Sequence, residues 1–386
     1  MGIGQIGMIL GPLLGGVFTQ YVTWRWCFFL NLPLGGVAGF ALLFINIPDQ
    51  VVKPPFSARL LREVVPRLDL PGFALFAPAA VMFLLALHLG SESGSEGWGS
   101  PQVIGLFCGA GVAAVLFVLW EWRVGDDAML PLSLLRRRVV WTSTLHFGML
   151  TVATASASNF LPIYFQSAQG LGPTMSGVYM LPSILSQLVF VVISGLLVTK
   201  LGYYLPWAFV AGVGTAVGSG LMTTFTPWTS LGKIIGYQLV YGVRGSGLQM
   251  AVVAVQSALT PAQGAIGISI LVFAQQFLSS VFITVANTIF QVSLAADVAR
   301  LAPSVNAADA SAAGGSAEAV RALLPPDSPE LGGLLLVYSN AVGKVFYMVV
   351  GVSIVVCAAA CGMGWVDLRK KQDAVVEKQE KGDAAV

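Results

Sequence analysis

The chain is expected to be an all-α polytopic membrane protein, a helical bundle of about ten transmembrane spans. Three observations lead there. Of 386 residues, 56% are hydrophobic and only 10% charged, with a mean hydropathy of +0.81. A soluble domain carries roughly 25% charged residues, so this chain has too few to clothe a water-facing surface. Its uncharged runs are repeatedly long enough to cross a hydrocarbon core about 30 Å thick, which takes roughly 20 helical residues. Finally, Trp24, Trp26, Trp98, Trp120, Trp122, Trp141, Trp207, Trp228 and Trp365 all fall at or just beyond the ends of those runs, where amphipathic rings settle at a membrane interface.

Taken in order, the spans are predicted at 2–20, 26–47, 70–89, 102–122, 140–165, 176–199, 205–226, 231–258, 264–293 and 342–366. Residues 139–199 form one uncharged run of 61, and the turn signal Gln169 to Pro173 divides it in two. Residues 245–296 form another of 52, broken at Thr260-Pro261-Ala262-Gln263-Gly264. The one long loop, 294–338, contains Leu294–Leu301 and Ala317–Leu324 as candidate interfacial helices, and the tail 368–386 reads as a solvated segment. Basic residues segregate once these spans are drawn. Lys53, Arg59, Arg62, Arg67, Arg123, Arg136, Arg137, Arg138, Lys200, Arg369, Lys370, Lys371, Lys378 and Lys381 share one side; Arg25, Lys233, Arg300 and Arg321 lie on the other. The positive-inside rule then puts both chain ends in the cytosol.

Composition also excludes several functions. A net charge of +2 gives no ground for a nucleic-acid partner. Cys27, Cys108, Cys357 and Cys361 sit in apolar runs without metal-ligand or disulfide-framework spacing. The two histidines, His88 and His146, are far apart, so no clustered metal site, no cofactor and no enzyme activity is expected. Nor does any segment point to an obligatory protein partner; the lipid bilayer and a small-molecule substrate are the expected contacts.

The first span carries Gly7-Met8-Ile9-Leu10-Gly11-Pro12-Leu13-Leu14-Gly15-Gly16. Gly7, Gly11 and Gly15 are four apart and stack on one helix face, opening a groove for close helix approach, while Pro12 bends the rod. This string resembles the antiporter motif of the major facilitator superfamily. Trp24-Arg25-Trp26, Phe29-Leu30-Asn31-Leu32-Pro33, Leu161-Pro162-Ile163-Tyr164-Phe165-Gln166, Ser176-Gly177 with Leu181-Pro182, Gly202-Tyr203-Tyr204 and Ala254-Val255-Gln256 resemble the fungal branch of its fourteen-span drug:proton antiporters. The resemblance covers nearly all of 2–366. It implies that Gly7–Gly16 is the family's fifth helix and that the first four are absent, through a gene model starting at an internal Met or a genuinely short product. Residues 1–48 would then end the N-terminal bundle, 49–138 hold an extra helix pair, and 139–367 form a six-helix C-terminal bundle. The Gly7–Gly16 face would pack on the 176–199 helix.

Polar residues inside the spans are the candidate substrate pathway. Arg244 lies near the middle of 231–258, where a cation costs about 2.5–3.5 kcal/mol on insertion scales. It either lines a wet cavity that attracts an anion, or bonds backbone carbonyls near Gly242, Gly245 and Gly247. Gln249 and Gln256 are seven apart, as are Asn159 and Gln166; they would line one side of the pathway or simply join helices. Gln187, Gln238, Gln275, Gln276 and Asn287 are further amides of the same kind. His146 reads as an interfacial histidine or a pH sensor. No span has an acidic residue in its interior, with Glu121 at an interface, so a coupling carboxylate is expected in the absent helices. The resemblance implies proton-driven efflux of small hydrophobic drugs, toxins or secondary metabolites, with plasma-membrane residence. Uptake or vacuolar transport, or a non-transporting remnant, are the alternatives.

Overall fold

A computed structural model describes residues 2–45, 69–91, 97–325 and 327–369. The basic stretch with Lys53, Arg59, Arg62 and Arg67, and the tail beyond Arg369, lie outside them. The described residues form helices joined by short turns, with no strand among them. Among the described residues, seven helices are long and apolar enough to cross a membrane: Trp26–Phe44, Leu70–Gly90, Pro101–Val124, Pro173–Leu201, Leu205–Met222, Gln263–Leu301 and Leu331–Gly362. The remaining predicted spans are the glycine-rich Gly2–Tyr21, the more polar Arg138–Ile163, and a segment that is broken in the middle. The chain divides into two compact units, one of Met1–Gly90, Gly94–Ser133 and Gly170–Tyr179, the other of Ser91–Ser93, Leu134–Gln169 and Met180–Val386.

In the first unit, helices Leu70–Ser91 and Pro101–Val124 form a pair. Phe76 meets Phe117 and Phe83 meets Phe107 at ring-centroid distances of 5.4 and 6.0 Å. Gly90 leaves room for the Trp98 ring, which a Cβ there would approach to 2.6 Å. Ser100 starts the second helix, its Oγ accepting the Val103 N–H at 3.4 Å with Pro101 in the first turn; Gly125, at φ +73°, ends it. Residues Trp26–Phe44 turn large apolar side chains outward, including Phe28, Leu32, Val37, Phe40 and Leu43. That is the wrong way round for water and the right way for lipid.

The second unit is built around Leu331–Gly362, which packs against Arg138–Ile163, Leu205–Met222 and Pro261–Leu301. Met149, Leu150, Val152, Ala211, Val352 and Val356 form a core between them. Buried hydroxyls answer backbone carbonyls rather than water: Tyr338 donates to Ala310 O at 2.6 Å, Tyr204 to Met363 O at 3.0 Å and Ser339 to Phe225 O at 2.8 Å. In a bilayer interior no solvent is available to do so. The predicted breaks at 169–173 and 260–264 are present: Gly170 adopts φ +73° before Pro173 restarts the helix, and Thr260 precedes Pro261.

Three boundaries differ from expectation. Leu294–Leu301 is no separate interfacial helix; it continues the 41-residue helix Pro261–Leu301, which at 1.5 Å per residue is roughly 60 Å long. The last helix starts at Leu331, not near 342, after Pro329. Lys344 interrupts its apolar run in sequence, but Asp297 of the neighbouring helix meets the ammonium at 3.3 Å, so the charge sits within the helix. Finally, 231–258 is not one rod. Leu231–Gly242 is α-helical, Val243–Gly247 tightens into a 3₁₀ turn, and Met250–Ala258 resumes.

Candidate functional site

The break at 243–247 is where the polar interior of the second unit concentrates. Its composition explains it: Val243-Arg244-Gly245-Ser246-Gly247 follows Gly242, and glycines weaken a regular helix while allowing backbones to touch. A Cβ at Gly242 would fall on the Ser186 side chain and within 2.9 Å of Gln187 N. One at Gly245 would fall on Gln187 O, and one at Gly247 would come to 2.5 Å from Ala211 Cβ. Ser186 Oγ also donates to Leu239 O at 2.7 Å. Thus helix Pro173–Leu201 crosses the glycine turn in direct backbone contact.

That crossing seats Arg244, only 3% exposed. Its Nε donates to Thr154 Oγ1 at 3.3 Å and its Nη1 to Tyr241 O at 3.1 Å. The guanidinium carbon stands 4.3 Å from the centroid of the Tyr241 ring, a cation–π geometry. Tyr241 is fixed in turn, its hydroxyl donating to Ala153 O at 2.6 Å. Guanidinium has five N–H donors, of which two are engaged, and among the described residues no carboxylate pairs with it. The result is a rigidly held, largely desolvated cation without a counter-charge from the described part of its own unit. Of the two sequence readings, the backbone-bonded one is met in part, through Tyr241 O and not through the glycine carbonyls.

His146 belongs to the same region. It is fully buried by protein, because Gly247 and Val356 close over it from two other segments. Nδ1 lies 3.2 Å from Val356 O, and Nε2 faces Gly247, where a Cβ would reach 3.1 Å from it.

The four amides are placed differently. Asn159 is exposed, and its amide donates to Ala155 O of its own helix at 2.8 Å. Gln166 is half-buried in a π turn, Tyr164–Ala168, that follows Pro162; the wider turn breaks the seven-residue register with Asn159. Gln249 is half-buried at the start of Met250–Ala258, and Gln256 is exposed. None of them hydrogen-bonds Arg244. The residues that do were missed from sequence. Tyr241 had a signal, being three residues before Arg244 on a helix; Thr154, ninety positions away, had none.

The glycine-rich first helix makes its contact within the first unit. Pro12, Gly16 and Gln20 are four apart and form the touching stripe. A Cβ at Gly16 would come to 2.6 Å from Pro173 O, one at Gly177 would fall on Pro12 O, and Gln20 Oε1 accepts the Thr174 N–H at 3.0 Å. A Cβ at Gly7, Gly11 or Gly15, on the adjacent stripe, would meet nothing within 4 Å.

Residues 1–284 match the Major Facilitator Superfamily. The chain is 50% identical to the MFS-type transporter calB of Penicillium decumbens, over 98% of this chain and 67% of that protein. It is 47% identical to the MFS-type transporter pigP of Monascus ruber, over 99% of this chain and 66% of pigP. Against the efflux pump mlcE of Penicillium citrinum it is 44% identical, over 97% of this chain and 68% of mlcE. The chain therefore spans about two thirds of the length of these relatives. With its helical bundle, outward-facing apolar helices and buried polar centre, it is an integral membrane protein that belongs to the major facilitator superfamily.

Proposed function

We propose that this chain is part of a fourteen-span, proton-coupled efflux carrier, whose first four helices it lacks, and that it exports small hydrophobic solutes bearing an anionic or hydrogen-bond-accepting group. The observation that carries this reading is Arg244, buried, immobilised by Tyr241 and Thr154, and without an acidic partner among the described residues of its unit. A fixed cation in a low-dielectric bundle attracts an anion strongly, either a solute carboxylate or a carboxylate elsewhere in the complete carrier. Supporting it are the name of the relative mlcE as an efflux pump and the glycine string that resembles the antiporter motif. Carriers of this class work by rocking one helical bundle against another around a central site. Close backbone contacts at Gly16, Gly177, Gly242 and Gly245 supply the smooth surfaces such motion needs. On this reading the energy source is the proton gradient, with no cofactor, the address is the plasma membrane and both termini face the cytosol.

The test is export from a heterologous fungal host expressing the chain, alone and with the relatives' N-terminal helices fused upstream. Solutes in medium and mycelium are compared by mass spectrometry for wild type, Arg244→Lys and Arg244→Ala. Export that depends on the fused helices, falls at least tenfold in Arg244→Ala and is sensitive to a protonophore supports the reading. Export indifferent to Arg244, or no solute moved by the fused form, refutes it.

A further inference from the structure

The helix pair of the first unit holds a second polar centre, separate from Arg244. Asp69, 3% exposed, precedes the first turn of Leu70–Ser91, and Glu121, 4% exposed, lies in the last turn of Pro101–Val124. Asp69 has φ +44°, the one positive value at a non-glycine residue among those described, a conformation held only where the surroundings impose it. Those surroundings are hydrogen bonds. Oδ1 accepts Trp120 Nε1–H at 2.8 Å and Gly72 N–H at 3.1 Å; Oδ2 accepts Met129 N–H at 2.9 Å. Glu121 Oε2 accepts Leu130 N–H at 3.0 Å. The adjacent N–H groups of Met129 and Leu130 thus go to Asp69 and Glu121, which sets the two carboxyl groups beside each other, and Glu121 Oε1 is buried with no hydrogen-bond donor among the described residues.

Lone-pair arithmetic decides what is missing. A carboxylate offers about four acceptor positions; three on Asp69 are filled by N–H groups and one remains. If both acids were ionised, an orphaned oxygen would face an anion in an apolar setting, the arrangement in which one of two carboxyls keeps a proton. A divalent cation needs six or more oxygens, or several retained waters, and only one carboxyl oxygen here is uncommitted. We propose that Asp69 and Glu121 form a proton-binding site, in which one proton on Glu121 is donated to Asp69 and ties the 125–130 turn across the two helices. The proton resides on Glu121 because Asp69 has three N–H donors and the positive end of a helix beside it, whereas Glu121 sits at a helix C-terminal end. Asp69 is the titratable group beside Glu121; Arg123 and Asp126, which follow Glu121 in its own segment, are exposed, and Arg67, two residues before Asp69, lies outside the described residues. Both acids stand at helix ends, where the sequence also puts Glu121, and the site stands on these contacts alone, independent of any exported solute.

The experiment is infrared spectroscopy of the full chain in lipid nanodiscs across pH 5 to 9. A protonated-carboxyl band is expected at neutral pH, absent from Glu121→Gln, whose amide N–H replaces the bridging proton. It should also disappear in Asp69→Asn, where the new amide donates to Glu121 and lets it ionise. In parallel, the melting midpoint of wild type should fall as pH rises, since the folded state holds a proton the unfolded chain releases, while Glu121→Gln shows no such fall. A wild type with no protonated-carboxyl band, a band that survives both substitutions, or identical pH profiles for wild type and Glu121→Gln would overturn the proposal.

Discussion

Replacing Gly245 by Ala tests the helix crossing that seats Arg244. The added Cβ would fall on Gln187 O and within 2.9 and 3.0 Å of Gln187 C and Cα. These are backbone atoms inside a 29-residue helix, so no rotamer change relieves the clash and the two segments must part. Overpacking of this kind costs about 1–3 kcal/mol, a factor of about 5 to 150 in the folding equilibrium. Parting also draws Arg244, the adjacent residue, away from Thr154, from which it is 3.3 Å. The assay is reversible denaturant unfolding of the purified full chain in detergent micelles, with Gly236→Ala as the control. A Cβ at Gly236, nine residues earlier on the preceding helix, meets nothing within 4 Å, so the control should stay within about 0.5 kcal/mol of wild type. Equal stability of Gly245→Ala and Gly236→Ala would refute the claim that close backbone approach shapes this site.

Further outcomes follow from the same geometry. Gly177→Ala should destabilise the chain by about 1–3 kcal/mol, because its Cβ lands on the Pro12 carbonyl, whereas Gly11→Ala should be near neutral; comparative melting of the two variants checks this. Tyr241→Phe removes the hydroxyl that donates to Ala153 O at 2.6 Å and should cost about 0.6–1.5 kcal/mol in the same unfolding assay, while keeping the ring under Arg244. Burial pushes the Asp69 carboxyl up, but the hydrogen bonds from Trp120, Met129 and Gly72 more than offset it and hold it below the usual carboxylate range. Its stabilisation is thus present above the unfolded value of about 3.9 and lost as pH falls through the lower folded value. The melting gap between wild type and Asp69→Asn should accordingly close on acidification below about pH 4, and a gap constant to pH 3 would count against it.

Neither the closure around the carboxyls nor the seat of the cation could be read from a single helix. Glu121 reads as an interfacial acid because Trp120 and Trp122 flank it and a helix end is near. It is buried because the chain reverses at Gly125 and lays the N–H groups of Met129 and Leu130 against it and Asp69. No periodicity within either helix encodes that closure.

What the sequence determined by itself was the solvent. A chain with 56% hydrophobic residues and 10% charges has one environment in which it can be folded, and there every backbone group must be satisfied inside a helix; the all-α bundle and most helix boundaries follow from that and from Gly and Pro at the breaks. The resemblance of its motifs to a transporter family was legible too, because such motifs are local. Tertiary structure alone decided that the first helix touches Pro173–Leu201 through Pro12, Gly16 and Gln20, and that the Arg244 span is broken into a 3₁₀ turn. It alone decided that Arg244 lies against Thr154 while the amides at Asn159, Gln166, Gln249 and Gln256 do not. In lipid the hydrophobic effect does not distinguish one helix face from another. Shape complementarity and hydrogen bonds between distant residues make that choice, and neither is written in a single helix.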